Sequence, residues 1–126
     1  MAGLCLYAGG ALAAKLAGVA AFTLAWTHSI EKIPWEEDWR VTPAGLVLVE
    51  ARVKGMGAGM EPPPEAVLAG GFWRWAPRVP PLPDVILRRA GVTADWRLCA
   101  GGQCRPMGDL APGDADPVMM KPCDPG

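Results

Sequence analysis

The chain has one histidine, one tyrosine and two phenylalanines in 126 residues, and no concentrated run of positive charge. Each shortage removes a class of function. A single histidine leaves no second imidazole for a His-rich metal centre, and no G-x-S-x-G turn is present to raise a serine nucleophile above a sheet. The 12 basic residues are scattered among 13 acidic ones, for a formal charge of −1, so no cationic stripe follows a phosphate backbone. Arg88-Arg89 reads as a solvated strand end, and nucleic acid is not an expected partner. GMGAGM (residues 55–60) lacks the Lys-Ser or Lys-Thr of a P-loop and runs into Pro62-Pro63-Pro64 instead of a helix. Heptads, repeats and long amphipathic helices are missing too.

Glycine (16) and proline (14) are plentiful. Both punctuate chains and are costly inside helices, which favours a turn-rich β fold. The length suits one domain with a modest core. In AAFTLAWTHS, Phe22, Leu24, Trp26 and His28 alternate with Thr23, Ala25, Thr27 and Ser29, the period of a half-buried strand. Pro34 interrupts, and WEEDWRVT resumes with Trp35, Glu37, Trp39 and Val41 on one face and Glu36, Asp38, Arg40 and Thr42 on a wet face. After Pro43-Ala44-Gly45, LVLVEARVK places Val47, Val49, Ala51 and Val53 together. GGFWRWAP, PDVILRRA, ADWRLCA and QCRPM supply further strands. Short strands about ten residues apart predict an all-β fold, a small antiparallel β-sandwich or barrel with little helix.

Residues 1–21 are apolar and rich in small side chains. Ala11-Leu12-Ala13 fits the A-x-A cleavage pattern, so the segment reads as an export signal cut after Ala13, with an uncleaved anchor as the alternative. A single β domain is expected over 22–107. The Pro-, Gly- and Asp-rich tail, 108–126, is expected to be disordered, leaving Cys123 without a partner. Cys99 and Cys104 flank Ala100-Gly101-Gly102-Gln103, a hairpin that brings them to disulfide spacing. Reduced thiols are the alternative, and zinc would need four ligands that the sequence does not group. A disulfide agrees with export beyond the cytosol.

WTHSIEKIPWEEDW (residues 26–39) packs the histidine, four acidic residues and three of the six tryptophans together. His28 could be a general base oriented by Glu31 or Glu36, with Ser29 or Thr27 as nucleophile. Strand alternation argues against it, because His28 and Ser29 point to opposite faces. The preferred reading has His28 ending the apolar row and hydrogen-bonding at the core's rim, with a ligand or partner contact next and catalysis third. H-x-x-E pairs on a helix face, not on a strand, so no metal or cofactor is expected. The tryptophans read mostly as core, with one aromatic face only partly covered.

WTHSIEKIPWEEDWRV, LVLVEARVKGMGAGMEPPPEAVL, GFWRW and DWRLCAGGQC together resemble a bacterial family of unknown function, number eighteen-fifty in the DUF series, over roughly Phe22 to Met107. The resemblance implies a small exported, periplasmic protein, often encoded beside TAXI-type TRAP transporters, which import small organic anions. It marks His28, Ser29, Glu31, Glu36, Gly57, Ala58, Gly59 and Met60 as the positions matching the family's motifs. The expected function is therefore a non-enzymatic extracytoplasmic accessory protein, contacting the transporter's binding protein or membrane subunit through these residues. The alternatives are an autonomous small-molecule-binding module, with Arg40, Arg52 and Arg74 as carboxylate forks, and a small enzyme using His28.

Overall fold

Ala-Gly-Gly occurs three times, at residues 8–10, 69–71 and 100–102, and each time it turns a hairpin. In each pair both glycines have positive φ, from 60° to 82°, as a two-residue type I′ turn requires. These turns join β1 (Gly3–Ala8) to β2 (Ala11–Ala17), β6 (Val67–Ala69) to β7 (Phe72–Trp75), and β9 (Arg97–Ala100) to β10 (Gln103–Pro106). The other strands are β3 (Ala21–Thr27), β4 (Pro34–Thr42), β5 (Gly45–Val53), β8 (Val85–Leu87) and β11 (Val118–Cys123), and one 3₁₀ turn spans Met107–Asp109. The computed structural model describes residues 3–27, 34–54, 62–89, 96–111 and 115–123.

The strands form two antiparallel sheets, a β-sandwich of the expected class. The larger has seven strands in the order β10-β9-β3-β4-β5-β7-β6, and the smaller has four, β2-β1-β11-β8. The inward face of the larger sheet is built by the alternation visible in the sequence: Phe22 and Leu24 on β3, Trp39 on β4, Leu46 on β5 and Leu98 on β9 are all buried. Phe22 and Trp39 sit opposite each other and stack with centroids 6.4 Å apart. Gly45 opens β5 where Leu46 exchanges backbone hydrogen bonds with Leu82, at 2.7 and 2.9 Å. A Cβ on Gly45 would run into the Leu82 carbonyl, so close approach and a φ of 132° both select glycine there.

The structure corrects the reading of both chain ends. Residues 3–17, expected as a leader or anchor, form β1 and β2, and residues 118–123 of the expected disordered tail form β11. β1 lies between β2 and β11, with Gly3 opposite Cys123 and Ala8 opposite Val118. The physical reason is the apolar face of the larger sheet, which needs a lid. Leu4, Leu6, Val118 and Met120 supply it, each fully buried and each worth roughly 1.5–3 kcal/mol. Cys123 is not left over: it bonds Cys5.

β5 departs from simple alternation as well. The register shifts between Asp38 and Trp39, so Asp38 faces Glu50 while Trp39 faces Leu48, and Val49 is the extra, exposed residue of a bulge. Leu46 and Leu48 therefore share the inward face with Ala51 and Val53, and the expected row Val47, Val49, Ala51, Val53 is split between faces.

Cys99 bonds Cys104 across the β9–β10 hairpin, as the turn predicted. Two disulfides belong to proteins that mature in an oxidising compartment, so the domain is extracytoplasmic. No helix among the described residues is long and apolar enough to cross a membrane.

Candidate functional site

One end of the larger sheet gathers most of the tryptophans. The register puts Trp26 opposite Trp35, Trp35 opposite Val53, and Val53 opposite Trp73; one rung inward, Leu24, Glu37, Ala51 and Trp75 line up in the same way. Trp96, just before β9, packs against Trp26 at 4.4 Å. Trp26 stacks on Trp35 at 5.6 Å, and Trp75 meets Trp35 edge-on at 5.8 Å. Trp96, Trp26, Trp35 and Trp75 thus form a continuous wall of indoles, each half-buried. Edge-to-face and tilted contacts suit the ring quadrupoles and hold the wall in shape.

A carboxylate stands at the foot of this wall. Strand alternation carries Glu37 to the inward face between Trp35 and Trp39. Burial pushes its pKa above the ordinary carboxylate range, opposed by a hydrogen bond that Trp39 Nε1 donates to Glu37 Oε1 at 3.3 Å and by the nearby Trp35 indole. Trp35 Nε1 is itself buried without a partner of hydrogen-bond geometry among the described residues.

A carboxyl whose pKa rises on folding costs stability while it is charged. That cost is complete above the folded pKa and disappears as pH falls past the unfolded value near 4.5. Glu37→Gln is therefore expected to raise the melting temperature at pH 7 and to flatten its rise on acidification towards pH 4.5. Thermal melts of both proteins between pH 4 and pH 8 measure this, and a variant less stable than the parent at pH 7 would contradict it.

The opposite face of the same strands carries a charge network. Arg52 donates from Nε to Glu36 at 2.7 Å, from Nη1 to Asp38 and Glu50 at 2.8 Å, and from Nη2 to Asp38 at 3.0 Å. Arg74 adds a bond to Glu50 at 3.1 Å, and Thr23 donates to Asp38 at 2.7 Å. Burial alone would raise the Asp38 pKa, but the bonds from Arg52 and Thr23, with attraction from both arginines, hold it below the ordinary value. The same carboxylates drive the Arg52 pKa upward. Arg52 and Arg74 are thus committed inside the sheet; of the three expected anion forks, only Arg40 makes no ion pair among the described residues.

Of the sequence-predicted contact residues, Glu36 is placed, on the outer face in its bond to Arg52. His28, Ser29, Glu31, Gly57, Ala58, Gly59 and Met60 lie outside the described residues. The strand ends that lead to them are close together: Thr27 pairs with Pro34, and the Lys54 amide donates to the Pro34 carbonyl at 3.0 Å. Both motif segments therefore leave the sheet at the tryptophan-walled end. The sequence reading passed over Glu37, although W-E-E-D-W already sets one acidic residue on the aromatic face.

Residues 22–107 match the model of a family described as a domain of unknown function, DUF1850. The chain belongs to this family. No curated protein and no solved structure matches it. Apart from Ala21 at the start of β3, the DUF1850 match contains all seven strands of the larger sheet together with β8, so β1, β2 and β11, which complete the sandwich, fall outside it.

Proposed function

We propose that this DUF1850 domain is a non-enzymatic periplasmic accessory protein that acts by protein contact, assisting a TAXI-type TRAP transporter of organic anions. The observation that carries the contact reading is the indole wall of Trp26, Trp35, Trp75 and Trp96, half-exposed at the end of the sheet from which both family-motif segments depart. Tryptophan is the residue most enriched in interface hot spots, because one indole removes a large apolar area from water while its N–H keeps a polar handle. The transporter as partner rests on the family resemblance. Commitment of Arg52 and Arg74 to internal carboxylates weighs against an autonomous organic-anion binder.

Affinity capture of the tagged protein from native membranes, read by mass spectrometry, is expected to recover a TAXI-type membrane subunit or its binding protein. Trp75→Leu with Trp96→Leu keeps both positions apolar but removes two indoles, and should lower that recovery at least about tenfold, the 1.4 kcal/mol scale of one modest hot spot. Recovery of no transporter component, or equal recovery by a folded double variant, would defeat the proposal.

A further inference from the structure

The two disulfides occupy opposite environments. Cys5 is 3% exposed, on a strand paired along both edges. Cys104 is exposed, on β10, an edge strand whose four residues are all exposed, and Cys99 is directly opposite it. The bond faces outward, since Cys99 is also opposite Thr23, which shares the outer face with Asp38. Beside it opens a cleft of about 530 Å³ lined by both cysteines, the Gly101-Gly102 turn, Asp38 and Arg40. Thr23 and Arg52 already hold the Asp38 carboxylate, whereas Arg40 is exposed and makes no ion pair among the described residues.

We propose that Cys99–Cys104 is a thiol–disulfide exchange site, reduced by a dithiol and re-formed by the reverse exchange with a disulfide, while Cys5–Cys123 stays closed. Exchange needs an accessible sulfur, a leaving thiolate stabilised by nearby positive charge, and a fold that survives the reduced state. Exposure at Cys104 meets the first need and Arg40 in the cleft the second. The third follows from a sequence separation of 5, which constrains little of the chain, against 118 for the other bond. A partner thiolate attacks Sγ of Cys104, the S–S bond breaks, and Cys99 leaves as a thiolate into the cleft. The partner's second thiol then attacks its own sulfur in the mixed disulfide and releases Cys104. The partner ends as a disulfide; the protein gains two electrons and two protons.

The test exposes the oxidised, folded protein to dithiothreitol in one arm and to a reduced C-x-x-C dithiol protein in another, at matched potential. Acid quenching, alkylation and peptide mapping then time each bond. Alkylation of Cys99 and Cys104 at least about tenfold ahead of Cys5 and Cys123, with the far-ultraviolet dichroism unchanged, is the expected result, because the protected bond must wait for an opening of the fold. The faster arm identifies a small or a protein dithiol as the source. Arg40→Ala should slow the step about threefold and Arg40→Lys should restore it. Opening of both bonds at one rate, in step with unfolding in both arms, would overturn the proposal, as would an Arg40→Ala rate equal to that of the parent.

Discussion

Replacing Arg52 with methionine is expected to cost about 2–4 kcal/mol, roughly 10 °C in melting temperature for a domain of this size. The side chain is only 12% exposed, and its guanidinium bonds three carboxylates, those of Glu36, Asp38 and Glu50. Its removal leaves these negative groups clustered on neighbouring strands, with Arg74 bonded to Glu50 alone of the three. The carboxylates are 31% to 38% exposed, so water absorbs part of the penalty and the figure stays below that of a fully buried pair. The decisive control neutralises the acids. In a Glu36→Gln, Asp38→Asn, Glu50→Gln background, Arg52→Met should cost far less, and the difference is the coupling energy of the network. An Arg52→Met protein melting within 2 °C of the parent would show that the network contributes little. Acid acts in the same direction: because the Asp38 pKa is lowered on folding, its contribution is present above the unfolded value of 3.8 and is lost as pH falls below it.

The Cys5→Ala, Cys123→Ala double variant is expected to lose about 5 kcal/mol, against about 2 kcal/mol for Cys99→Ala with Cys104→Ala, on the chain-entropy account of cross-links. The bonds close stretches of very different length, with separations of 118 and 5. Urea unfolding under oxidising conditions reads both values through the transition midpoint, provided the slope is unchanged. Equal losses in the two variants would refute the assignment of Cys5–Cys123 as the principal covalent tie. The first variant should also expose indole and leucine surface before full unfolding, because β1 and β11 cover one side of the core.

Local chemistry made much of this legible in the sequence. Alternation at Phe22, Leu24, Trp35 and Trp39 gave the phase of β3 and β4, and Gly101-Gly102 gave the hairpin that sets Cys99 against Cys104. The same Gly-Gly signal at residues 9–10 was hidden by composition: an apolar stretch of alanine and leucine has the makeup of a leader peptide, and only pairing with a strand more than a hundred residues away distinguishes the two. Cys123 was misread for the same reason, since its neighbours are turn formers and its partner is distant. The bulge at Val49 depends on how β4 and β5 fit, which no pattern within one strand encodes. At the candidate site, the tryptophans and Glu37 could be placed on one face from alternation; their convergence across β3, β4 and β7 could not, because it follows from sheet order.

The pairing of β1 with β11 also imposes a timetable. Ribosomes make the chain from its N-terminus at about 5–20 residues per second, so Leu4 and Leu6 wait roughly 6–24 s for Val118 and Met120 to exist. During that interval the larger sheet can hydrogen-bond strand by strand, yet its apolar side stays open. Contacts between residues this far apart are also the slowest to form. The nascent protein is thus most prone to aggregate in the interval before β11 can pair with β1 and cover that side.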